Sequence, residues 1–162
     1  MITLSELHPD KALEALLQGN VSIAISASES RIAEVYRQGE RPNTDLDDEF
    51  IDVLPNGVVR AMTKPMGVYR GNLAVTLYCK AQSNGTAKEN RINSMLSQVE
   101  SLVNCKSSGK FFFQINPSNV ITPMTYNSAT GYTTMTINVS WSTSESRMEH
   151  LRIANTKRKI HL

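Results

Sequence analysis

Between Tyr69 and Ile115 the spacing of apolar positions changes twice, from two to about 3.6 and back, which predicts a strand, a helix and a second strand. Leu73, Val75, Leu77 and Cys79 alternate with Asn72, Ala74, Thr76 and Lys80, the pattern of a half-buried strand. Ile92, Met95, Leu96, Val99, Leu102 and Val103 then recur at steps of three and four. That stripe predicts an amphipathic helix of about five turns over 87–104. Thr86 with Glu89 reads as a capping box at its start, where hydroxyl and carboxylate pair with amides the first turn leaves open. After Ser107, Ser108 and Gly109 the strand period returns, with Phe111, Phe113 and Ile115 on one side.

The flanking segments extend this picture. Ala12, Leu13, Leu16 and Leu17 predict a short helix from about Asp10 to Gln18, stopped by Gly19. Val21, Ile23, Ile25 and Ala27 alternate with small polar residues as a strand. Ile32, Val35 and Tyr36 suggest a short strand, followed by a polar, turn-rich loop from Gln38 onward. Asn56-Gly57 between two apolar runs predicts a hairpin, and Lys64-Pro65-Met66-Gly67 a further break. Val120 to Tyr126, a turn at Asn127 to Gly131, and the alternation of Met135, Ile137, Val139 and Trp141 close the pattern. The expected class is α+β: a mostly antiparallel sheet of four or more strands, with the long helix on one face and the short N-terminal helix beside it. Residues 1–145 are expected to form one domain, and 146–162 a basic C-terminal extension or arm.

Composition narrows the function more than it names it. At 162 residues the chain can bury roughly two-thirds of its unfolded surface. Cys79 and Cys105 form no CxxC pair, so they are expected as buried free thiols rather than zinc ligands or a redox pair. No basic stretch precedes an apolar run near the N-terminus, so a cytoplasmic site of synthesis is expected. No apolar run approaches the roughly 18 residues of a membrane span. The net charge of +2 is too small to indicate a nucleic-acid binder. Its distribution is uneven, however. Asp45, Asp47, Asp48, Glu49 and Asp52 form an acidic run, whereas Arg147, Arg152, Lys157, Arg158 and Lys159 crowd the C-terminal segment. Two solvated segments would explain this pattern; so would acidic and basic surfaces that meet between subunits.

Reactive chemistry finds little support. No GxSxG occurs, and His8, His150 and His161 lie outside the expected sheet and long helix. Gly85 and Lys88 do not complete a phosphate-binding GxxxxGK[ST] loop. Asp47 and Asp48 are adjacent and point apart, unlike a catalytic pair. Phe111, Phe112, Phe113 and Tyr126 could stack bases as in an RNA-recognition sheet, but Lys110-Phe-Phe-Phe-Gln-Ile lacks that module's glycine-bracketed pattern. No enzyme activity, cofactor or metal is expected.

The order of elements, with Val68-Tyr-Arg-Gly-Asn-Leu-Ala-Val-Thr-Leu-Tyr-Cys-Lys, the helix Lys88-Glu-Asn-Arg-Ile-Asn-Ser-Met-Leu-Ser-Gln-Val-Glu-Ser-Leu and the late strand Met-Thr-Ile-Asn-Val-Ser-Trp, resembles the tail terminator or tail completion proteins of long-tailed bacteriophages. The resemblance covers most of the chain and rests on pattern, since these proteins share no short diagnostic motif. It implies a structural virion protein that forms a ring, often a hexamer, capping the tail tube and meeting the head connector or neck proteins. Genomic DNA would pass through the channel. On that basis Arg37, Arg41, Asp45, Asp47, Asp48, Glu49, Arg152, Lys157, Arg158 and Lys159 become candidate subunit or partner contacts. The N-terminal leader and the C-terminal extension depart from the pattern. A neck or head-completion adaptor is the alternative within phages, and a small RNA- or ligand-binding domain the alternative outside them.

Overall fold

A computed structural model describes residues 3–44, 46–61, 68–80 and 85–143. It corrects the expected class: the chain is mostly β, 50% strand against 22% helix, and its principal sheet is curled into a half-barrel. The six strands run in the order β3-β4-β5-β8-β7-β6, where β3 is Glu34–Arg37, β4 Glu49–Ala61, β5 Tyr69–Lys80, β6 Lys106–Ser108, β7 Phe111–Tyr126 and β8 Tyr132–Thr143. All neighbours are antiparallel except β3 and β4, which run parallel. A separate antiparallel pair, β1 (Ser22–Ala24) and β2 (Ser30–Ile32), precedes them.

Two α-helices, α1 (Pro9–Leu17) and α2 (Gly85–Val103), lie within this curl and do not form the second layer of an α+β fold. The curl follows from a length argument. The nine-residue α1 touches β3 at one edge of the sheet and β6 at the other. In a flat six-stranded sheet those edges would stand about 24 Å apart, beyond a helix roughly 14 Å long. Strand twist accumulated over long strands brings the edges together instead.

The core fills the inside of the curl. Val35, Ile51, Val53, Leu73, Val75, Leu77, Ile137, Val139, Trp141, Phe111 and Phe113 point inward from the sheet and pack on Leu13 and Leu17 of α1 and Ile92, Met95, Val99 and Val103 of α2. Val21 and Ile23 complete the cluster.

Three local expectations are also corrected. Asn56-Gly57 does not turn the chain: β4 continues through it to Ala61, and Gly57, at φ +77°, sits where the pairing with β5 shifts between Asn56 and Arg60. A glycine in the left-handed region serves a bulge as well as a turn. Lys106–Ser108 is a strand, joined to β7 by a tight hairpin at Gly109-Lys110. Cys105 is exposed, because it occupies the left-handed position (φ 59°) just after α2, where a side chain is thrown outward. Cys79 is buried. The break at residues 64–67 and the C-terminal extension lie outside the described residues.

Candidate functional site

Strand alternation gives the sheet two unlike faces, and the acidic run is divided between them. Glu49 and Cys79 are paired across β4 and β5 and point into the core, while Phe50 and Tyr78, the next pair, point outward. Glu49 is fully buried, and two cations reach it. Arg91 of α2 binds Oε1 at 2.5 Å, and Arg31 of β2 binds Oε2. The Cys79 thiol donates toward Oε1 at 4.0 Å. One carboxylate therefore ties β4 to the helix and to the small β1–β2 pair.

On the outer face the aromatic rings form a second, smaller cluster that the core does not include. Phe50 is its centre, 1% exposed. Tyr78 stacks on it at 4.4 Å between centroids, and Tyr132 and Tyr36 meet it edge-on at 5.4 and 5.8 Å. Arg41 lies over both Phe50 and Tyr78, its guanidinium carbon 5.7 and 5.5 Å from the ring centres. It also donates to Asp52 Oδ2 at 2.9 Å. Rings below and a carboxylate beside it hold this guanidinium by cation–π attraction and a charge-assisted hydrogen bond. Asp52 is 5% exposed, and its Oδ1 is buried with no hydrogen-bond partner. Burial raises the Asp52 carboxyl above its usual range, against the pull of Arg41 and the Tyr78 hydroxyl.

The rim is built from the loop before β4. The Tyr132 hydroxyl donates to the Asp47 carbonyl at 3.0 Å, and the Lys80 amide donates to the Asp48 carbonyl at 2.6 Å. Lys80 Nζ stands 5.9 Å over the Tyr132 ring. Further along the same face a polar ladder takes over: Asn56 donates to Asn138, Asn138 and Ser140 donate to Asn72, and Thr76 pairs with Thr136. The outer face thus changes from an aromatic, acidic end to an uncharged polar middle.

Of the sequence candidates, Arg41 belongs to the aromatic cup, and Asp47 and Asp48 to its rim. Glu49 faces the other way, into the core. Arg37 sits apart, half-buried among Asp10, Glu14 and Glu40 at 3.6, 3.8 and 3.4 Å. Asp45, Arg152, Lys157, Arg158 and Lys159 lie outside the described residues. The ring partners Tyr36, Phe50, Tyr78 and Tyr132 were not among the sequence candidates. Their signal was the placing of Tyr78 on the polar side of an otherwise regular strand.

The three phenols share one electrostatic signature. Burial first, then neighbouring carboxylates, push Tyr36, Tyr78 and Tyr132 up from the ordinary tyrosine value. The unfolded chain therefore gives up these protons first as pH rises, so the folded state binds more protons there. Stability must fall above about pH 10 and gain nothing from these groups below it. Chemical denaturation at a series of alkaline pH values is expected to show that decline, and Tyr78→Phe to make it shallower. An equal slope in the variant would remove Tyr78 from the account.

Among the described residues no three His, Cys, Asp or Glu side chains converge as a metal-binding group, and no helix is long and apolar enough to cross a membrane. No protein-family model and no curated protein matches the chain. One solved structure, which carries no functional description, is similar at 13% identity over 69% of this chain and 79% of its own, with a TM-score of 0.48.

Proposed function

We propose that the chain is the subunit of a ring that closes a phage tail tube and meets the head connector, as a tail terminator or completion protein. The observation that carries this is the segregation of charge onto unlike surfaces. An acidic aromatic cup occupies one end of the outer sheet face, and the basic residues Arg147 to Lys159 lie in a segment that follows the other end of β8. Unlike surfaces that complement one another join subunits head to tail, and head-to-tail contacts close into rings when the rotation permits. The order of elements shared with tail terminators agrees with that geometry. The 37–48 loop, which carries Arg41 onto the cup, would then lie at a subunit boundary or line the channel where DNA passes.

The test is the mass in solution of the full chain, alone and after mixing with a tail tube protein from the same source. A closed ring of fixed size, or capture at tube ends, is expected. A monomer indifferent to the tube would overturn the proposal and turn attention to RNA or small ligands.

A further inference from the structure

Asp52 poses a question that its pairing with Arg41 leaves open. Its second oxygen is buried, unpartnered, and set among phenol rings. Buried carboxylate oxygens are normally satisfied, and one without a partner marks a place where a donor is missing. Around the cup the field is acidic. Glu34, Asp47 and Asp52 bear on Tyr36, and Asp47 and Asp48 bear on Tyr132, whereas Arg41 and Lys80 are the cations within the cluster. Tyr36, Tyr78 and Tyr132 are each only half-buried, so parts of their rings stay accessible. Carboxylates at a rim of tyrosines suit a lysine or arginine side chain, which takes both an ion pair and a cation–π contact.

We propose that this cup receives a basic side chain from the C-terminal segment of a neighbouring copy, so that each subunit clasps the next. The proposal deepens the ring reading and rests on it. Reach selects a neighbour over the chain's own segment. The cup lies at the Tyr132 end of β8 and the C-terminal segment starts after Thr143, eleven residues or roughly 36 Å along the strand. Arg147 is four residues beyond Thr143, so its backbone extends about 14 Å at most. Arg152 would need its chain drawn out fully along its own sheet, about 32 Å of backbone, and such ordering costs roughly 1 to 2 kcal/mol per residue. Head-to-tail packing instead can bring the root of one subunit's segment close to the cup of the next, where Arg152 and the 157–159 cluster reach it with slack.

Disulfide trapping on the full chain tests this. With Cys105→Ser removing the exposed thiol, one chain carries Asp47→Cys and another Arg152→Cys; a third carries both. Mixing the first two is expected to give a covalent dimer, and the third a ladder of multimers, each at least about tenfold above a control pair of Ser128→Cys with Arg152→Cys. Closure within one chain, or yields equal to the control, would overturn the clasp. The mass of the unsubstituted chain, measured in parallel with and without tube, separates the two readings. Assembly without trapping removes the clasp and leaves the ring; no assembly under any condition removes both.

Discussion

Replacing Glu49 with Ala should destabilise the fold more than any other single loss of a charge. The carboxylate is fully buried, and its removal leaves Arg31 and Arg91 facing one another without their shared partner. Taking away one member of a buried ion pair costs about 3 to 5 kcal/mol, because the surviving charge stays desolvated. Here the lower end applies: Arg31 is 31% exposed and can turn toward water, whereas Arg91, at 14%, cannot do so as easily. About 3 kcal/mol corresponds to a fall of roughly 10 °C in Tm for a chain of this size. Truncating Arg31 or Arg91 alone should cost less, since Glu49 keeps its other partner. Replacing all three with apolar residues of matched volume should recover much of the loss, as buried ionic networks rarely outperform good packing. Thermal unfolding of the single and triple variants is the measurement, and a Glu49→Ala chain that melts like the original would show that the carboxylate holds nothing together.

The same carboxylate shows how far this sequence could be read. The apolar stripe of α2 and the alternation in β5 and β8 were plain, because each buries one face only. In β4 the signal vanished: Glu49, Phe50, Ile51, Asp52 and Val53 are all buried, some under the helices and some under the tyrosines, so no alternation is left to count. The acidic run spans that very stretch, and charge along a chain does not say which carboxylates turn inward. A strict period of two already places Glu49 and Asp52 on opposite faces, yet which face is covered depends on Arg31, Arg91, Arg41 and Tyr78 from distant parts of the chain. The class was misjudged for a related reason. β2, β3 and β6 are three or four residues long and carry no period, and β4 runs straight through an Asn-Gly that by itself signals a turn. Counting only the regular strands left the helices looking like half of the fold.

Gly71 gives the second large effect, and it tests the inner face where Glu49 does not reach. It pairs directly with Trp141 across β5 and β8, and the indole lies flat over the position a Cβ would fill. An added Cβ would stand 2.8 Å from Trp141 Cζ2 and 2.9 Å from Cε2. Two terms oppose each other in Gly71→Ala. Its φ is not in the positive region, so alanine fits the backbone and would gain up to about 1 kcal/mol by restricting the unfolded chain. Against this, the atoms it meets belong to a rigid ring, 3% exposed and held edge-on to Phe111 at 5.6 Å, which has nowhere to turn without opening the core. Overpacking of that kind costs about 1 to 3 kcal/mol, so the clash should win, and Gly71→Val should lose more. Glycine beside an aromatic on the adjacent strand also explains why this central strand tolerates the residue, since the ring covers the backbone the missing side chain exposes. A double-mutant cycle with Trp141→Leu isolates the contact: once the indole is gone, the alanine should cost little or stabilise, giving a coupling of at least about 1 kcal/mol. Equal losses with and without Trp141 would place the penalty elsewhere in β5.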